Sequence, residues 1–319
     1  AKQIKQLITE LILTPRLQAL KWSKKTDQTP NIKIGYPGQH LASVILGMKG
    51  TKTGARGNDI IDGTEVKSCS RVDALDKCRK CKSKVSRHEQ VCPICKSTNI
   101  ARDNTSKWLF TIRSLSDLKT LTESVNRVLL IIFDYPKFEE GNYEQIRIQA
   151  FEIWNNTEKC KRFKEIMTNY YNNIYLAQKK AHPTKTPAPK NFWPYSYQFY
   201  LCNPINIFTC IIDDANNKPT LKITKYIKPC TDRSTISPEK MPISLLNQSE
   251  LEILCKPENK HVLLQEINEE QYEALITAIK SKDKEKISTS LPFIGETTKL
   301  LLPLREDTTF DIKTTYIRS

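Results

Sequence analysis

Apolar residues recur along this chain with periods that change from segment to segment. Ile4, Leu7, Ile8, Leu11 and Ile12 keep the helical period, so residues 3 to about 20 read as a helix, with Pro15 placed to kink or end it. The stretch 22–35 is polar and loop-like, and Gly38 to Gly47 reads as a short helix. Val128 to Phe133 is apolar without interruption, as expected of a central strand covered on both faces. Strands are expected at 58–69 (around an Asp62-Gly63 turn), 108–113, 145–154, 197–202, 206–212 and 220–226. Residues 116–124 read as a short helix, and Thr157 to about Lys179 as a long one. Glu269 to Ile279 reads as a helix capped by Asn268. The prolines and lysines of 180–194 predict a linker or an extended surface arm, and the tail after 290 is weakly patterned.

These alternations imply an α/β chain. Its 319 residues suffice for one large domain or two. The division expected is a core over 1–180, with an insertion at 76–100, and a C-terminal region over 191–319. No run approaches the length of a membrane span, and no leader-like segment follows the first residues. The ten cysteines form no disulfide-like pattern, so a reducing cytoplasm is expected. Lys and Arg number 50 against 35 Asp and Glu, a formal net charge of +15. Such an excess favours a polyanionic partner.

Four of the cysteines change the picture further. Cys78-x-x-Cys81 and Cys92-x-x-Cys95 are two tight turns separated by ten residues, each presenting two thiolates. Together they complete a tetrahedral Zn²⁺ shell. Four protein ligands close the site, so the zinc is expected to be structural. His88 lies near enough in sequence to be weighed as a replacement ligand.

The strongest candidate chemistry lies at Asp59, Glu65 and Lys67. Residues two apart on a strand face the same way, so Glu65 and Lys67 project together, and Asp59 can reach them from the preceding turn. Two carboxylates and one ammonium suit a metal-dependent phosphodiesterase: the acids hold Mg²⁺, and the lysine steers water or the charged phosphate. Asp62 competes with Asp59 but reads as part of the turn. An ordinary solvated hairpin is the plainer reading of these charges. The glycine-rich loop 47–57 carries the basic residues Lys49, Lys52 and Arg56, and Lys52, Arg56 and Arg71 are candidate phosphate contacts. Gln39 and His40 lie on the upstream short helix.

The string Thr53 to Ser68 followed by the double C-x-x-C resembles the PD-(D/E)xK nuclease superfamily. More narrowly, it resembles type II restriction endonucleases with an embedded zinc-binding element. The resemblance implies a mixed central sheet flanked by helices, with an inserted zinc ribbon. It places the signature acids and lysine on Asp59, Glu65 and Lys67, and the further polar residue of an upstream helix on Gln39. Asn58 stands where a proline would precede Asp59. The activity implied is Mg²⁺-dependent attack of water on duplex DNA, leaving 5′-phosphate ends. The implied setting is a homodimer on a palindromic or interrupted palindromic site, inside a prokaryotic cell with a modification system. Two alternatives are a DNA repair nuclease and a non-enzymatic zinc-ribbon nucleic-acid-binding protein.

Overall fold

The fold described here is that of a computed structural model and covers residues 1–52 and 58–305. Gly54, Arg56 and Gly57 of the glycine-rich loop therefore lie outside the described residues. The chain forms two compact units interleaved in sequence. The first takes Ala1–Trp108, Arg127–Glu152 and Asn206–Thr231, and the second takes Leu109–Asn126, Ile153–Ile205 and Asp232–Ser319.

The helix expected at the N-terminus runs from Lys2 to Thr26 in three parts: α1 (Lys2–Ile8), a π-helical turn Thr9–Leu13, and α2 (Thr14–Thr26). Ile4, Ile8 and Ile12 form its buried stripe. Pro15 sits in the first turn of α2. A proline there cannot donate to the preceding turn, and the wider π turn ahead of it accommodates the ring, so the helix continues. A second helix, α3, spans Gly35–Leu46.

The strands, in chain order, are β1 (Thr64–Ser70), β2 (Asp76–Cys78), β3 (Lys84–Val85), β4 (Ile100–Ala101), β5 (Trp108–Phe110), β6 (Arg127–Asp134), β7 (Ile146–Trp154), β8 (Lys190–Phe192), β9 (Ile205–Asp213) and β10 (Thr220–Tyr226). A mixed five-stranded sheet has the order β1-β6-β7-β9-β10. β1 runs parallel to β6, with Glu65 opposite Val128 and Lys67 opposite Leu130, and β9 and β10 are antiparallel. Every residue of β6 is buried, which matches its unbroken apolar run. A separate small sheet, β3-β2-β4, holds the cysteine pairs.

Charged residues fix β6 at both ends. Arg127 is buried and donates to Glu152 of β7 at 2.9 Å, to Thr64 Oγ1 of β1 at 2.7 Å, and to Asp62 in the turn before β1. Asp134 takes a two-pronged contact from Arg147 of β7, at 2.9 and 2.7 Å. Arg16 of α2 makes a similar fork to Asp73, and also reaches Ala215 O and Asn216.

In the second unit, two expectations are corrected. Residues 197–202 are not a strand, because Tyr197–Leu201 is a short helix. Ser196 caps it by accepting from Phe199 N at 3.2 Å, and this local cap outweighs the strand preference of Tyr and Phe. The 180–194 segment is not solely a surface arm, because Lys190–Phe192 is a buried strand. Phe192 packs edge to face on Phe110 and Phe163, at 5.9 and 6.1 Å between ring centres. The helix read from Thr157 onward is broken into a 3₁₀ turn, Lys161–Asn169, a π turn Tyr170–Tyr175 and Leu176–Ala181. Glu269–Lys280 is a helix with a full capping box between Asn268 and Gln271. The tail after 290 contributes Ile294 and Leu302 to the same core. It also brings Lys299, which is buried and donates to Tyr200 O and Glu239 O at 3.0 and 2.8 Å.

Replacing Arg127 by Met should lower stability by about 3–5 kcal/mol, because it takes the arginine from the buried Glu152 carboxylate. Urea unfolding measures this, and Arg127→Lys, which cannot reproduce the fork, should recover only part of it.

Candidate active site

β1 is an edge strand of the sheet, paired with β6 on one side. Its other edge is met by the turn that precedes it. Ile60 bridges both Thr64 and Gly50, and Asp59 N donates to Thr64 O at 2.8 Å. The reversal runs through Gly63 at φ +88°, a conformation open to glycine. Asp59 is thereby returned alongside β1, where its Oδ2 accepts from Val66 N at 2.8 Å.

Helix α3 supplies the next contact. Gly38 packs so tightly on β1 that a Cβ there would lie 1.9 Å from Ser68 Oγ. This close approach puts the next residue, Gln39, within reach of the turn, and its Nε2 donates to Asp59 Oδ1 at 2.7 Å. Lys67 Nζ pairs with Glu65 Oε1 on the same face of β1. The structure thus brings Gln39, Asp59, Glu65 and Lys67 into one cluster. His40, one residue on, is exposed, as are the phosphate-contact candidate Lys52 and the neighbouring Lys49.

Asp62 points elsewhere. Its Oδ1 accepts from Thr64 N and Oγ1, at 3.2 and 2.6 Å, and its Oδ2 pairs with Arg127. The turn needs this carboxylate to order itself and to lock β1 to β6. Arg127 was not singled out in the sequence, since a strand-end arginine looks like any exposed cation.

Burial pushes the Asp59 carboxyl above its usual range, against the pull of Val66 N–H and Lys67. Burial also raises Glu65; Lys67 offsets part of this and the nearby Asp59 adds to it. Glu65 Oε2 is buried with no hydrogen-bond partner among the described residues. A buried carboxylate oxygen left over beside a second carboxylate fits a divalent cation, which would satisfy the oxygen and offset the repulsion. Asp59 keeps lone pairs on both oxygens beyond the two it uses.

The cysteines form a second cluster. The four Sγ atoms of Cys78, Cys81, Cys92 and Cys95 all lie within 4.8 Å of one another. Cys78 and Cys95 are 3.6 Å apart, and Cys81 and Cys92 3.5 Å. A tetrahedral Zn²⁺ with its usual bonds to sulfur sets such pairs about 3.8 Å apart. The group could hold zinc, with His88 outside the cluster. Few apolar residues support it: Cys78, Val85 and Cys92 are buried, with Cys95 and Ile100 beside them.

The MamI restriction endonuclease family model matches residues 21–244, which is more than half of the chain and includes both clusters. The chain belongs to the MamI restriction endonuclease family. The type II restriction enzyme MamI of Microbacterium ammoniaphilum is 30% identical over 76 residues. That match covers 24% of this chain and spans about a quarter, 25%, of the relative. No solved structure matches the chain. No helix among the described residues is long and apolar enough to cross a membrane.

Gly38→Ala should destabilise the protein by roughly 1–3 kcal/mol by driving α3 off β1. Ser68→Gly in the same chain should restore part of the loss in a denaturant titration. Metal analysis should find about one zinc per chain, and Cys78→Ser or Cys95→Ser should remove it. Limited proteolysis of those variants should then open the chain between residues 76 and 101.

Proposed function

We propose that this member of the MamI family is a type II restriction endonuclease, which hydrolyses duplex DNA with Mg²⁺ at the Asp59–Glu65–Lys67 cluster. The observation that carries the reading is the buried Glu65 Oε2, which has no hydrogen-bond partner among the described residues, beside the second carboxylate of Asp59 and on a strand that also presents Lys67. Asp59 and Glu65 would hold the ion. Mg²⁺ bound there would neutralise charge on the scissile phosphate and lower the pKa of water. Gln39 holds Asp59 in place through Oδ1, and Val66 N–H holds it through Oδ2. Among the described residues, Lys67 is the one cation of the cluster. Its ammonium would orient the attacking water or stabilise charge growing on the phosphate. Water adds to phosphorus and the 3′-oxygen leaves, giving a 5′-phosphate and a 3′-hydroxyl.

Zn²⁺ in the four-cysteine cluster would be structural, since all four ligands come from the protein. The net charge of +15 suits a DNA partner. A homodimer on a palindromic or interrupted palindromic site follows from matching two-fold protein symmetry to two-fold DNA symmetry. The non-enzymatic zinc-ribbon reading explains the cysteines and the charge, but not the orphaned carboxylate.

Asp59→Ala and Glu65→Ala should abolish Mg²⁺-dependent cleavage while DNA binding survives. Lys67→Ala should leave folding intact and slow cleavage by about 10²-fold or more. Asp62→Ala should lower stability, through its loss to Arg127, yet retain cleavage in the cold. Cleavage at the wild-type rate by Glu65→Ala would move the reaction centre elsewhere.

A further inference from the structure

The small cysteine-bearing sheet carries a charge arrangement that its own folding does not require. β2 and β3 pair antiparallel with Lys77 opposite Lys84. Their neighbours Asp76 and Val85, also opposite one another, are buried, while both lysines are exposed. On its other side Lys77 faces Ala101 of β4. Like charges directly across a strand pair repel and weaken the pairing.

Among the described residues, the nearby acids are engaged elsewhere. Asp76 is taken by Arg87 and Arg102, at 2.9 and 2.8 Å, and by Asp103 N. Glu89 accepts from Ser86 N, and Asp103 accepts from Thr105 N and Oγ1. The two knuckles add exposed Arg79, Lys80, Lys82 and Lys96. Lys82 and Lys96 close their own knuckles by donating to Arg79 O and Pro93 O, at 2.9 and 3.0 Å.

This cationic face is held firmly. The Arg87 guanidinium lies among the rings of Tyr135, Phe138 and Tyr143, 5.7, 4.9 and 5.4 Å from their centres. These rings belong to the connection between β6 and β7, in the same compact unit. Arg102 reaches Asp76, Arg87 O and Glu89 O at 2.8, 3.3 and 2.6 Å. The element also follows β1 directly. β1 ends at Ser70, three residues after Lys67, and β2 starts at Asp76.

We propose that the Lys77–Lys84 pair is a phosphate contact, and that the cysteine-bearing element clamps the DNA backbone beside the cleavage site without reading sequence. An anion between two opposed ammoniums converts their repulsion into attraction. Compact ammonium groups contact phosphates as point charges, which positions DNA and carries no base information. The proposal rests on the nuclease reading, which supplies the duplex partner.

The test compares the full-length wild type with Lys77→Ala/Lys84→Ala and with Lys77→Glu. Binding to a random-sequence duplex, with Ca²⁺ replacing Mg²⁺, is followed by fluorescence anisotropy over a series of KCl concentrations. The slope of log affinity against log salt should fall by about 1 in the double variant, for the one phosphate that the pair holds. Its thermal midpoint should hold or rise, because the repulsion is gone. Lys77→Glu should raise the midpoint further, by pairing with Lys84, while weakening binding more. A double variant with the wild-type salt slope overturns the proposal, as does one that loses zinc and melts earlier, since the pair would then be structural. If the wild type binds no duplex, the nuclease reading falls together with this one. If it binds and cuts DNA while the double variant keeps its slope, only the clamp is refuted.

Discussion

Two carboxylates, Asp59 and Glu65, share a partly dry corner at the edge of the sheet, and each is harder to ionise for being there. Much of the surrounding structure answers this constraint. Lys67 neutralises one oxygen of Glu65, while Val66 N–H and Gln39 each hold one oxygen of Asp59. The remaining Glu65 oxygen has no hydrogen bond among the described residues. An apolar replacement would suit such a corner better than an acid with that oxygen left over. The pair makes physical sense if a divalent cation completes it.

Keeping the carboxylates together depends on features farther out. Parallel pairing with a fully buried β6 leaves β1 one free edge, and the Asp59 turn occupies it. Arg127 ties that turn to β1 and β7 by contacts to Asp62, Thr64 and Glu152. Gly38 lets α3 come close enough for Gln39 to reach Asp59. Asp62 and Asp59 are three residues apart and have opposite surroundings, one facing a buried arginine and the other facing Glu65.

Much of this was legible in the sequence wherever a short-range rule applies. The two-residue spacing put Glu65 and Lys67 on one face, and an unbroken apolar run marked β6 as central. Cysteine spacing alone brought four thiols together. Tyr197–Leu201 was misread because its aromatic residues favour strands, while a single serine cap decided for a helix. Lys190–Phe192 was hidden by flanking prolines and by its lysine, which is buried. The interleaving of two units, and the roles of Arg127 and Arg87, rest on contacts between residues far apart in the chain. Neither composition nor periodicity reports such contacts.

The most direct measurement of the central claim is incubation of the intact protein with a large unmethylated DNA, with Mg²⁺ and with EDTA. The account predicts discrete fragments with 5′-phosphate ends in Mg²⁺, and uncut DNA in EDTA. Intact DNA in Mg²⁺, from a folded protein that binds the duplex, would contradict it.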